Sequence, residues 1–120
     1  MSHNSPTLQL IVQSTQAEFA GRIDEARALA WQAWQQAGDD YEACAAAHYV
    51  ARYQADPQEM LHWNQEALTR AEAVNDERVR AFYPSLYVNL GKAHERLGNR
   101  AEAERFYQLA ADLGLPHQIN

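Results

Sequence analysis

Tyr87–Ala110 reads Y-V-N-L-G-K-A-H-E-R-L-G-N-R-A-E-A-E-R-F-Y-Q-L-A, with Pro116 shortly beyond it. The spacing predicts two antiparallel helices joined at Leu97-Gly98. Asn99, with Glu102 three residues on, starts the second helix. Gly91, Ala103 and Ala110 are small, and two helices approach closely only where side chains are short. Tyr87, Leu90 and Tyr107 are large and fill the flanking holes. One hairpin of this kind cannot bury its apolar face alone, so the pattern demands stacked neighbours.

Working outward, turn and cap signals divide the chain into six helical segments. Ser5-Pro6 starts the first, with Pro6 at the position where a missing N–H is harmless, and Gly21 ends it. The second covers about Arg22 to Ala37, with Gly38 as a left-handed terminator. Asp39 and Glu42 form a capping-box start for the third. Asp56-Pro57-Gln58-Glu59 starts the fourth, and Asn75-Asp76-Glu77 the fifth. Small residues align these segments into three repeats, about 7–40, 41–74 and 84–117, in a single domain spanning 1–120. Ala26, Ala30 and Ala33 match Met60, Asn64 and Ala67 at a step of about 34 residues. In the first helix of the middle repeat the small ladder is Cys44, Ala47, His48 and Ala51. The step to the third repeat is longer, with extra residues at 75–83.

Pro84 falls inside the fifth segment, where a proline removes one helical hydrogen bond and crowds the preceding turn. The apolar spacing Val79, Phe82, Leu86, Leu90 runs across it and predicts one long helix kinked at Pro84. The competing reading is a short helix over 76–82 followed by a new start.

Composition narrows the function classes. The chain has 120 residues and a formal net charge of −6, which argues against a general nucleic-acid binder. Its single cysteine, Cys44, excludes an intrachain disulfide and fits a reducing, cytoplasmic setting. The opening residues carry no secretory pattern, and the apolar runs are too short to span a membrane. No Gly-rich phosphate loop, nucleophile elbow or HExxH motif is present, so no catalytic residue is assigned. Paired acids such as Glu102 and Glu104 read as exposed helix charge. Cys44, four residues before His48 in an alanine-rich helix, reads as a buried, inert thiol. His62 and Glu66 share one helix face, but a zinc site wants four ligands at short spacings, so neither a metal nor a cofactor is expected. Trp31, Trp34 and Trp63 fall on second helices and read as packing residues.

With Gly91, Gly98, Ala103, Tyr107 and Ala110 in place, the chain resembles the tetratricopeptide repeat family over about residues 7–117. The longer step before the third repeat is similar to the expanded repeats of bacterial regulatory arrays. The resemblance implies an all-α superhelix of helix hairpins, right-handed in its stacking. It also implies a non-enzymatic role, holding a protein or peptide in a concave groove lined by the first helix of each pair. Carried over by position, the groove candidates are Leu8, Ile11 and Thr15 in the first repeat. They are Glu42, Ala45, Tyr49, Arg52 and Tyr53 in the second, and Ser85, Val88, Lys92, Glu95 and Arg96 in the third, with Asn89 nearby. Some family members clamp a terminal carboxylate with lysine and asparagine in the first repeat. Ile11 and Thr15 occupy those positions here and do not support such a clamp.

Two interaction surfaces follow. Tyr49, Arg52, Tyr53, Asn89, Lys92 and Arg96 would form a cationic, aromatic face suited to an acidic segment. Phe106, Leu109 and Leu113 share one face of the sixth helix, and with no helix to cover it that face points to a homodimer as the alternative role. A fold-back of Leu115 and Ile119 would cover the same face.

Overall fold

The computed structural model describes residues 5–114. Among these residues it contains seven helices and no strand: α1 Pro6–Phe19, α2 Ile23–Gln36, α3 Asp40–Arg52, α4 Pro57–Val74, α5 Glu77–Arg80, α6 Tyr83–Arg96 and α7 Arg100–Asp112. The all-α expectation holds. Pro116 and the fold-back of Leu115 and Ile119 lie outside the described residues.

The starts follow the cap chemistry. Ser5 Oγ accepts the Leu8 N–H at 3.3 Å, Asp39 Oδ1 accepts from Glu42 at 2.8 Å, and Asp56 Oδ1 accepts from Gln58 at 3.2 Å. Each satisfies a helix-end donor that has no partner inside its own helix. One cap reading needs correcting. Gly38 is not left-handed; the positive-φ glycines are Gly21, Gly98 and Gly114. Instead the Gly38 N–H donates to Glu42 Oε1 at 2.8 Å, which ties the α2–α3 corner to the first turn of α3. Asn99 stands at the N-cap of α7, as the sequence implied, without a side-chain cap bond; its Nδ2 lies 3.3 Å from His94 Nδ1.

The chain pairs into three hairpins, α1/α2, α3/α4 and α6/α7, with α2 packing on α3, α4 on α6, and α1 on α3. The small-residue ladder lies at these contacts. Ala26, Ala30, Ala33, Ala67 and Ala110 are wholly inaccessible and Ala103 nearly so. Leu86 and Leu90 are the largest fully buried side chains. Gly91 shows why size matters: a Cβ there would sit 2.5 Å from Tyr107 Cε1. The three tryptophans form an edge-to-face chain, Trp31–Trp63 at 5.8 Å and Trp34–Trp63 at 5.0 Å between centroids. Trp34 and Trp63 are half-buried, while Trp31 keeps 44% of its surface exposed.

The expected long, kinked fifth helix is not found. The helix ends at Arg80, Ala81 and Phe82 form a turn, and α6 starts at Tyr83 with Pro84 in its first turn. The proline ring excludes the carbonyl four residues earlier, and that carbonyl belongs to Arg80, the last residue of α5. The apolar spacing across the break is real but has another origin. Val79 is wholly buried and packs with Cys44, Ala47, Ala67, Ala71 and Leu86. The short helix is thus a wedge between the second and third hairpins. Asp76 Oδ1 caps it by accepting the Arg78 N–H at 2.9 Å. Arg78 lies 4.8 Å over the Tyr41 ring, and Tyr41 stacks on Phe82 at 6.2 Å.

Candidate functional site

The first helices of the second and third hairpins, α3 and α6, leave a groove with two compartments that share His48. The first, about 210 Å³, is lined by Cys44, Ala45, His48, Tyr49, Phe82, Ser85 and Leu86 and is largely apolar. The second, about 190 Å³, is lined by His48, Ala51, Arg52, Met60, Asn64, Asn89 and Lys92. On α3 the lining residues Ala45, His48 and Arg52 follow an i, i+3, i+7 stripe, and on α6 Ser85, Asn89 and Lys92 follow i, i+4, i+7. Each is one face of a helix.

Lys92 is the only lysine among the chain's ten cationic Lys and Arg residues. It is exposed and makes no hydrogen bond or ion pair within the described residues. Six of the arginines, by contrast, are paired with carboxylates: Arg22, Arg27, Arg52, Arg70, Arg78 and Arg105. Burial, with Arg52 beside it, lowers the proton affinity of His48, so the ring is neutral near pH 7. Its ring meets Tyr49 edge-on at 5.1 Å. Burial also pushes the Cys44 thiol up to about 11; it stays protonated and behaves as a small apolar group, as the sequence implied.

The expected groove residues divide. Tyr49, Arg52, Asn89 and Lys92 line the two compartments. Arg52 is partly committed: its Nε and Nη2 donate to Glu18 Oε1 and Oε2 at 2.9 and 2.8 Å. Tyr53 is not in the groove. It is 7% exposed, and its hydroxyl lies 3.4 Å from Ser14 Oγ and donates to Glu18 Oε1 at 2.8 Å. It turns back against α1, where its ring packs with Ala17, Ala26, Ala30 and Val50. Arg96 lines neither compartment; it reaches toward the α3–α4 turn, with Nη2 3.4 Å from the Ala55 carbonyl and Nη1 3.9 Å from Met60 Sδ.

Among the wider candidates, Ile11 and Val88 are buried. Thr15 bonds back to the Ile11 carbonyl, and Glu95 accepts from Tyr107 of α7 at 2.6 Å. His48, Asn64, Met60, Phe82 and Leu86 were not expected in the groove. The one available signal was the stripe Ala45, His48, Arg52, which runs on the same helix face as the assigned residues.

The α7 face also differs from expectation. Phe106 is 7% exposed, stacked on His94 at 5.6 Å and covered by Arg105 at 4.4 Å. Leu109 is half-buried, and Leu113 is 55% exposed. Among the described residues no helix is long and apolar enough to cross a membrane, and no three His, Cys, Asp or Glu side chains converge as a metal would require.

Against known proteins, no family model, curated protein or solved structure matches the chain.

Proposed function

We propose that this chain is a tetratricopeptide-like interaction module, non-enzymatic, that holds a segment of a protein partner between α3 and α6. The observation that carries the reading is the groove itself. It has an apolar and a polar compartment side by side, with Lys92 without an anion among the described residues in a protein of net charge −6. Isolated charge on a folded surface is ordinary, but an unpaired cation beside an apolar slot is what a charged, partly apolar segment needs. The pairing of hairpins, with second helices packing on the next first helix, supports the array. The lone, buried cysteine supports a cytoplasmic setting.

The test is capture of partners on immobilised wild-type chain, on Lys92→Glu, and on Arg22→Glu as a control far from the groove. Partners held by the wild type and by Arg22→Glu, and lost with Lys92→Glu, support the reading. Partners indifferent to Lys92→Glu defeat it.

A further inference from the structure

Asn64 belongs to α4, the second helix of its hairpin, yet it lines the polar compartment and is 3% exposed. Its Nδ2 donates to the Met60 carbonyl at 2.9 Å. That bond fixes the amide, because flipping it would set two acceptors against each other. Oδ1 is left buried with no partner. Buried acceptors without partners are uncommon and destabilising, so this one invites a donor from outside. Lys92, in the same compartment, invites the opposite: an anion. Arg52 adds positive potential there, although its hydrogen bonds go to Glu18. On the other side of the His48 ring, Cys44, Phe82 and Leu86 offer an apolar slot.

A donor, an anion and an apolar group in one short span describe an extended peptide. Its backbone N–H is a donor at fixed spacing, and side chains two residues apart lie on one face about 7 Å from each other. That span suits two compartments separated by a single imidazole. We propose that the groove recognises an extended segment bearing an acidic side chain at one position and an apolar side chain two positions away. The acid meets Lys92, the apolar group enters the Cys44–Phe82–Leu86 slot, and an intervening N–H donates to Asn64 Oδ1. This rests on the groove being a partner site at all.

The experiment is selection of random heptapeptides on the immobilised chain, followed by fluorescence anisotropy with the synthetic winners. The expected winners carry Asp or Glu two positions from Leu, Ile, Met or Phe. Replacing the acid by its amide, or using Lys92→Glu, should weaken binding about tenfold or more. Methylating the peptide amides one at a time should find one whose N–H is essential, which probes Asn64 without altering the protein. Winners lacking the acid–apolar pair but still dependent on Lys92 overturn this inference and leave the groove reading intact. Winners in which no N–H matters overturn the role of Asn64. Absence of any Lys92-dependent peptide overturns both.

Discussion

The joint between the first and second hairpins is filled, and the joint between the second and third is open. At the first, Ile11 packs with Ala33 and Ala46, and Glu18 of α1 accepts from both Arg52 and Tyr53. At the second, α5 lies between the hairpins. Val79, Phe82 and Tyr83 pack at the base, and α3 and α6 leave the His48 compartments between them. Both joints use the same ladder of small residues, so the ladder is not what opens a groove. The difference lies in what spans the first helices: a hydrogen-bonded network in one case, an inserted wedge in the other.

The largest effect is expected at the wedge. Val79→Ala removes two buried methyl groups from a wholly inaccessible site in a helix of only four residues. Transfer and cavity terms together come to about 2–3 kcal/mol of lost stability, read as a fall in the urea midpoint. Because Leu86 and Phe82 line the apolar slot, peptide affinity should fall as well. A Val79→Ala protein as stable as the wild type would mean the wedge is an ornament and the joint is held by α4 and α6 alone.

Tyr53→Phe strikes the closed joint. It removes the hydroxyl that joins Ser14 to Glu18 while Ser14 keeps its bond to the Ala26 carbonyl. A loss of about 1–2 kcal/mol is expected, again from denaturant unfolding, with partner binding at the groove unchanged. A loss of binding without loss of stability would put Tyr53 back where the residue pattern had it, in the groove.

That displacement of Tyr53 illustrates where the residues stop informing. The ladder Ala26, Ala30, Ala33, Ala67, Ala103, Ala110 could be read from spacing because close helix packing depends on local side-chain size. The faces of α3 and α6 could be read to within part of a turn for the same reason. Tyr53 could not: its position is decided by Ser14 and Glu18, distant in sequence, which offer its hydroxyl partners that solvent in a groove would otherwise supply. Asn64 was equally invisible, since nothing in a sequence distinguishes a satisfied amide from one with a spare acceptor. Pro84 misled for a third reason: Val79, Leu86 and Leu90 are buried on either side of the break, so apolar periodicity continues although the hydrogen-bond ladder does not.

Acid should open the closed joint. The Ser5 hydroxyl, then the Gly38 N–H, hold Glu42 below its ordinary value of 4.5, and Arg52 with Tyr53 does the same for Glu18. For a carboxylate whose folded pKa is depressed, the stabilisation is present above the unfolded pKa. It is lost as pH falls through the folded one. Unfolding midpoints should therefore drop below about pH 4.5, and Glu42→Gln should flatten part of that decline while costing some stability at pH 7. A wild-type profile flat through this range would show that neither carboxylate holds the joint.

The smallest effect on stability is expected from the residue on which the proposed function rests. Lys92 has no hydrogen bond or ion pair to lose among the described residues, so Lys92→Glu should alter unfolding free energy by no more than about 0.5 kcal/mol. Arg52→Ala, on the wall of the same compartment, breaks a bidentate pair that joins α3 to α1. It should cost measurably more, up to about 1 kcal/mol for a half-exposed pair. The two cations thus separate the joints: Arg52 fastens α3 to α1, and Lys92 makes no bond among the described residues. If Lys92→Glu proves the more destabilising, an internal partner has claimed the lysine, and the open joint is as closed as the first.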